Sequence, residues 1–533
     1  MKKLLLINPF NMDMSEYMKK KHNKEGRTIR YGLLSIASYV KEKMGDEIEI
    51  KLLDCTSREF DGYSILEHQE YLRKCIREFS PDVIGISSMF NFLLNSTIEL
   101  LKLCKEEKED AFVYAGGPCA MAYAEKILKE SNCDAISFFE GEKSTLDLCK
   151  KDDVFMAAEE GVSWQTLKKI ETGFIPMPDM LDDLDEIPTL KFELVDDLEQ
   201  YMYADSLYNI ENVRYRSLPI HTSRGCPFNC VFCASHFVHG KKMRKMSAKR
   251  VIADVKYMVE KYNINHLEIC DDQFLIDKER AKEILKGIAP FNLKVEAPSG
   301  VSAFMIDDEI AGLMKTAGFE TVALAVESGC EYTIKNIIDK PVDLKKINNI
   351  VDALKRHSLR VHAFIVMGFP GETAEHREES REFLRKSAFD WFSVVCAMPI
   401  KGSRLYNICV EKGYITENFE TKDGFHKSSL TTETFTAAEI TEEAYLTNLE
   451  LNFINNYNMR NGNYKLAMEY FEYVVRKFDF HAIAHYCLAK CYKELGDIER
   501  AKAEHNKFKE IIETDAEWRG YAEHFGLLEK EVV

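Results

Sequence analysis

Three cysteines stand within the stretch SRGCPFNCVFCAS (223–235): Cys226, Cys230 and Cys233, spaced C-x3-C-x2-C. Clustered thiolates bind zinc or iron–sulfur clusters. Zinc sites usually pair two ligand groups, such as C-x2-C with a distant C-x2-C or H-x3-H, and no such second pair follows here. His236 and His239 lie nearby, so a Cys/His zinc site is one reading of these residues, and a disulfide beside a free thiol is another. Three thiolates on a [4Fe–4S] cube leave one iron without a protein ligand, and an open iron is a place for chemistry as well as electron storage.

The cysteines must be positioned by what surrounds them. Strand-like runs occur at 218–223, 266–272, 294–300, 321–329, 360–368 and 391–400, separated by helical patterns near 247–262, 277–289, 307–317, 343–357 and 374–388. Six β–α units predict a parallel (β/α)6 barrel, three quarters of the eightfold one, with chemistry at the C-terminal strand ends. The sequence agrees strand by strand. The cysteines follow the first run, Asp271-Asp272 ends the second, Ser299-Gly300 the third, Glu327-Ser328 the fourth, Gly368 the fifth and Pro399 the sixth.

C-x3-C-x2-C after the first barrel strand, with the aromatic Phe232 before the third cysteine, strongly resembles the radical S-adenosylmethionine superfamily over residues 218–400. The resemblance implies a [4Fe–4S] cluster on Cys226, Cys230 and Cys233. Its open iron chelates S-adenosylmethionine, and reductive cleavage gives methionine and a 5′-deoxyadenosyl radical. CDDQF (270–274) is similar to the family's second-strand motif, with Asp272 and Gln273 near the methionine amino group. VESG (326–329) is similar to the fourth-strand motif, with Glu327 on the ribose hydroxyls. MGFPGET (367–373) matches the loop whose backbone near Gly368 faces the adenine. Ser299 joins the cosubstrate residues at the third strand end. The structural alternatives are a helix N-cap for Asp272 and a turn for PGET, the latter favoured. For Glu327 a ligand role is favoured, because a carboxylate left unpaired at a buried strand end is costly.

Ahead of the barrel, residues 1–150 alternate β-rich runs (4–8, 48–54, 82–87, 111–117, 134–140) with helical patterns near 31–43, 66–79, 93–108 and 121–130. Five such units predict an open, parallel, doubly wound Rossmann-like sheet that binds ligands beyond its C-terminal strand ends. Those ends carry Asn8, Ser87, Gly116-Gly117 and Glu140-Gly141-Glu142. Paired glycines let a flat ligand approach the backbone, or simply make a tight turn. DVIGIS, AGGPCA and FFEGEKSTL resemble, in order and spacing, the cobalamin-binding domain at the front of many radical S-adenosylmethionine enzymes. Two features depart from cobalamin proteins. The Asp-x-His-x-x-Gly motif that supplies a lower-face histidine is missing, since the first strand runs into NPFNMDMSEY, and the usual GEGE reads FEGE, with Phe139 at its first position.

The remaining segments are an Asp/Pro-rich strap (151–217), a connector (401–450) and a helical region (451–533). In the last, 461–475 and 495–509 align at a period of 34 residues, pairing Gly462 with Gly496, Ala467 with Ala501 and Phe471 with His505, which resembles tetratricopeptide repeats. Such a region is either a docking surface for a peptide or partner, or a structural lid on the barrel. Cys487 and Cys491, four residues apart, fit core packing better than a metal site.

The chain has 533 residues, a formal net charge of -17 and 15 cysteines. That charge argues against a nucleic-acid-coating surface. No apolar run approaches the roughly 18–20 residues that span a bilayer. The basic, briefly apolar start MKKLLLINPF reads as a first buried strand, not a signal peptide. An odd, scattered cysteine set points to a reducing compartment, hence to the cytoplasm. The first hypothesis is a cobalamin-binding radical S-adenosylmethionine enzyme acting in methyl transfer or a related radical modification. It needs an external one-electron reductant of the flavodoxin or ferredoxin type, and the tail hints at a peptide, protein or carrier-bound substrate. A second reading keeps the radical chemistry without cobalamin. A third is an iron–sulfur scaffold or sensor that recruits partners through its repeats, which would have no need of Asp272 or Glu327.

Overall fold

The computed structural model describes residues 1–10, 28–57, 62–203, 213, 215–416, 419 and 424–532. Part of NPFNMDMSEY, part of the strap and a few connector residues lie outside the described residues.

The first strand, β1 (Lys2–Asn8), buries Leu4, Leu5, Leu6 and Ile7 almost completely. A strand covered on both faces needs such a continuous apolar run. It pairs in parallel with β2 (Ile48–Asp54) and β3 (Val83–Ser87); β4 (Phe112–Gly116) and β5 (Ala135–Ser137) extend the sheet in parallel. The short β6 (Trp164–Gln165), from the strap, adds an antiparallel edge that the sequence patterning does not reveal. The strand order β2-β1-β3-β4-β5-β6 reverses direction between β1 and β3, and this switch point opens a crevice beyond the C-terminal strand ends. Helices α1 (Tyr31–Met44), α2 (Ile65–Phe79), α3 (Leu94–Glu107), α4 (Pro118–Ala122), α5 (Ala124–Ser131) and α6 (Gly141–Lys150) form the crossovers. A capping box between Ser64 and Glu67 starts α2.

The second β–α alternation gives β7 (Ser217–Ile220), β10 (His266–Ile269), β11 (Lys294–Glu296), β12 (Thr321–Glu327), β13 (Arg360–Met367) and β14 (Trp391–Cys396). They form two three-stranded parallel sheets, β11-β10-β7 and β12-β13-β14, joined by parallel bridges at Val295–Phe319 and Val301–Leu324. Six parallel strands therefore follow one another in chain order, backed by α7 (Ala248–Tyr262), α8 (Lys278–Ile288), α9 (Asp308–Ala317), α10 (Leu344–Arg356) and α11 (Ala374–Lys386). Between β7 and α7 lies a two-stranded antiparallel ribbon, β8 (Ser223–Arg224) with β9 (Arg244–Lys245). The cysteine segment runs between its strands.

The tail is helical: α12 (Ala437–Leu449), a π turn at Glu450–Ile454, α13 (Tyr464–Lys477), α14 (Ala482–Glu494), α15 (Ile498–Thr514) and α16 (Ala516–His524). The pairs α13/α14 and α15/α16 start 34 residues apart, as the sequence period requires. Ala467, Ala501, Phe471, Cys487 and Cys491 are all buried among them. The tail seals the free edge of β14. Asn452 accepts from the Phe392 backbone N–H at 2.7 Å and donates to its carbonyl at 2.9 Å, as a neighbouring strand would, and Trp391 stacks on Tyr470. An edge strand left open invites foreign pairing, and this contact covers the edge.

Candidate functional site: the cysteine loop and the sheet ends that face it

The segment before the cysteines is pinned residue by residue. Thr222 donates to Asp271 through its N–H and its hydroxyl (2.5 and 2.6 Å), and Ser223 donates to the same carboxylate at 2.6 Å. Arg280 on α8 donates to the Thr222 carbonyl at 2.7 Å. Gly225, at φ +88°, packs so close to the Lys242 carbonyl that a Cβ would sit 2.6 Å from it, so no side chain is tolerated there. Asp271 is thus a buried clamp, while its neighbour Asp272 faces the thiols. Asp272 accepts from Ser235 at 2.5 Å and lies close enough to Cys226 and Cys233 to raise their pKa.

Burial is the main influence on all three thiols and pushes each up, Cys230 to about 11. Lys340 acts in the opposite sense on every one of them. Thiols in this setting become thiolates only when a bound cation compensates them, which is the donor chemistry an iron–sulfur cluster uses. His239 is engaged with Glu140 at 2.7 Å.

The other barrel-end residues converge unevenly. Gln273 lies beside Cys226 and accepts from Ser302 at 2.5 Å; Ser302 holds the polar position, and Ser299 is exposed on the loop before it. Glu327 sits at φ +70°, where the register of β12 on β13 shifts. A left-handed glutamate at a strand end is strained, and such strain is held in place at functional sites. The Glu327 carboxylate is paired in the structure: Lys340 donates to it at 2.5 Å, Glu327 being buried and Lys340 nearly so. Lys340 follows a π-helical turn (Thr333–Ile338) and carries no motif, so no pattern in the sequence points to it. Phe232 packs against Phe369, centroids 6.0 Å apart, tying the cysteine loop to the end of β13. Gly368 is at φ +86°, and a Cβ there would meet Ile440 of α12 at 2.6 Å. Its N–H donates at 2.7 Å to Glu372, whose buried carboxylate holds the PGET turn from within.

The sheet ends line up as anticipated: Asn8 is level with Asp54, Ser87 with Gly116, and Gly116 with Ser137. Asn8 donates to Asp54 at 2.7 Å. Gly117, at φ +95°, would place a Cβ 2.7 Å from the Ser88 carbonyl, and Gly141 would place one 2.5 Å from Ile36. Both glycines are accounted for by packing. Phe139 is at φ +63°, which explains why a glycine is usual at that position. Sequence reasoning missed Met89, Phe90 and Phe92 just beyond β3, which are 51, 46 and 41% exposed with the two rings stacked. Exposed apolar surface at a switch point is what a large flat ligand would cover. His221, at the end of β7, packs against Tyr31 of α1 with tilted rings 4.3 Å apart, and burial holds it neutral, its pKa pushed down to about 3.

Glu140 and Glu142, expected at the cobalamin, have their carboxylates turned to the cysteine ribbon. Glu140 takes both Arg244 nitrogens (2.8 and 2.5 Å), Arg224 (3.0 Å) and His239 (2.7 Å), and Glu142 takes Arg224 (2.7 Å) and Ser35 (2.5 Å). The guanidinium and imidazole donors hold the Glu140 carboxyl well below the usual carboxylate range, against its burial.

Comparison with known proteins fits this arrangement. The profile of the Radical SAM superfamily matches residues 220–384 and that of the B12 binding domain residues 23–148. Cytidylyl-2-hydroxyethylphosphonate methyltransferase of Streptomyces wedmorensis is 28% identical over 450 residues, 78% of this chain and 82% of that protein. An uncharacterized methyltransferase of Pyrococcus horikoshii is 29% identical, covering 71% of this chain and 78% of that one. The structure of the cobalamin-dependent S-adenosylmethionine radical enzyme OxsB, with aqua-cobalamin and S-adenosylmethionine bound, shares the fold with a TM-score of 0.66 at 13% identity, over 98% of this chain and 80% of that one. With three thiols in one segment and a doubly wound sheet pinned to their loop, the chain carries a Radical SAM superfamily domain preceded by a B12 binding domain.

Proposed function

We propose that the chain is a cobalamin-dependent radical S-adenosylmethionine methyltransferase. What carries this reading is the convergence of the buried Cys226, the half-buried Cys230 and Cys233, the Asp272–Gln273 pair and the strained Glu327 at one barrel mouth. When bound, the cluster supplies the electron for S-adenosylmethionine cleavage and cobalamin carries the methyl group.

The protein's part is to bind, orient and exclude water. Cys226, Cys230 and Cys233 hold the cluster, and Asp272 and Gln273 orient the methionine end of the cosubstrate. Glu327 meets its ribose, released from or shared with Lys340, and the backbone at Gly368 meets the adenine, with Phe232 and Phe369 forming an apolar wall. Ser302, which donates to Gln273 at 2.5 Å, joins Ser299 among the polar groups offered to the cosubstrate. Asn8, Ser87 and Gly116 would hold the corrin, with the exposed Met89, Phe90 and Phe92 supplying apolar surface for it. Residues 1–150 serve as the cobalamin module, 218–400 as the radical module, and 151–217, 401–450 and 451–533 as strap, connector and lid.

The electron donor is external, a flavodoxin or ferredoxin, in a reducing cytoplasm. The described residues contain no helix long and apolar enough to cross a membrane. The Streptomyces wedmorensis relative is named as a cytidylyl-2-hydroxyethylphosphonate methyltransferase, and a small or carrier-bound acceptor is the reading for this chain.

The test is anaerobic reconstitution with hydroxocobalamin, desalting, and iron and cobalt analysis beside the visible spectrum. About four irons and about one cobalt per chain are expected. Four irons without cobalt would leave a radical enzyme that does not use the corrin. Cys226→Ala with full iron would remove the cluster from this loop.

A further inference from the structure

The ribbon β8–β9 forms the neck of the cysteine loop, and its register places Arg224 directly opposite Arg244. Two guanidinium groups forced side by side repel each other, and like charges directly opposite on a ribbon destabilise it. Both side chains are buried, so water does not screen them. The compensating charges come from the N-terminal sheet: Glu140 bridges both arginines, and Glu142, fixed by Ser35 of α1, takes the second fork of Arg224. His239, inside the loop, closes the ring onto Glu140. Arg224 is two residues from Cys226. The barrel clamps the same segment from its other side, through Asp271 and Arg280.

We propose that Glu140 and Glu142 are positioning residues for the cluster. They act through Arg224 and Arg244 to close the neck of the cysteine loop, so the N-terminal module sets the environment of the cluster as well as offering a corrin site. This rests on the assignment of the cluster to the three cysteines. Carboxylates that hold a metal-bearing loop from outside its ligands typically govern metal retention and the metal's electronic surroundings.

The experiment uses full-length protein, reconstituted anaerobically, as wild type, Glu140→Gln and Arg224→Lys. Each is examined by circular dichroism, by iron release to a chelator, and by electron paramagnetic resonance of the reduced cluster with and without S-adenosylmethionine. The expected result is native circular dichroism, iron released about 10-fold faster, and a reduced-cluster spectrum displaced from wild type in both variants. Wild-type iron retention together with wild-type spectra in both would overturn the proposal. Should Glu140→Gln fail to fold, Arg224→Lys decides, since it keeps the positive charge and loses only the two-pronged grip. A wild type that takes up no cluster would instead strike at the proposed function.

Discussion

Lys340 and Glu327 form a largely buried ion pair, Lys340 acting on all three thiols and Glu327 on Cys230, and each shapes what the other can do. Removing one member of such a pair strands the other without water or partner. Lys340→Met is expected to cost about 3–5 kcal/mol of unfolding free energy in chemical denaturation. Adding Glu327→Gln should restore a good part of that loss, since the stranded charge is gone; a double variant no more stable than Lys340→Met would refute the pairing. The pair also shows where residue-level reading of the sequence stops. Glu327 stands in a motif and was found, whereas Lys340 lies 13 residues further on in a segment with no pattern, and only the fold brings the two together.

At the scale of elements, the loop after β13 is held by one buried acid. Glu372 accepts from the Gly368 and Phe369 N–H groups, yet burial pushes its pKa up to about 7. Its folded pKa lies above that of the unfolded chain, so the folded state keeps a proton that the unfolded state loses. Stability is therefore fully present below about pH 4.5 and falls as pH rises to about 7, by about 3 kcal/mol at 1.36 per unit. Glu372→Gln should flatten that fall, as measured by denaturant midpoints across pH 5 to pH 8. A variant with the slope of wild type would exonerate Glu372. The edge of β14 gives a second prediction. Asn452→Ala leaves the Phe392 N–H and carbonyl without their partner and should cost about 2–4 kcal/mol, with faster hydrogen exchange at the Phe392 amide. Unchanged exchange there would show that another group covers the edge. The strands themselves were legible because parallel, doubly covered strands are continuous apolar runs between helical periods. What covers β14 was not, since a single asparagine carries no periodicity.

For the whole molecule, the legible part was the order of modules, and the illegible part was how they join. The contacts that fasten the sheet to the cysteine ribbon link residues 84 and 104 positions apart, and Glu140 looks from sequence like a ligand residue of its own domain. The join goes beyond these charges. One face of the N-terminal sheet, with Leu4, Leu6, Phe112 and Tyr114, belongs to the same apolar core as Leu218, Leu267 and Val361 of the barrel, continuous through the strap residues Leu184, Ile187 and Phe192. The helical tail, by contrast, has a core of its own around Phe471, Leu488 and Phe508. A shared core makes for shared unfolding, because opening one module exposes the apolar surface of the other. Sheet and barrel should therefore melt in a single calorimetric transition, with the tail free to melt separately. Limited proteolysis during heating would assign the steps: cuts in residues 31–150 and 217–400 should appear at the same temperature. A separate, earlier transition confined to residues 31–150 would mean that the sheet is an independent module. The neck of the cysteine loop would then lose its second clamp before the barrel itself unfolds.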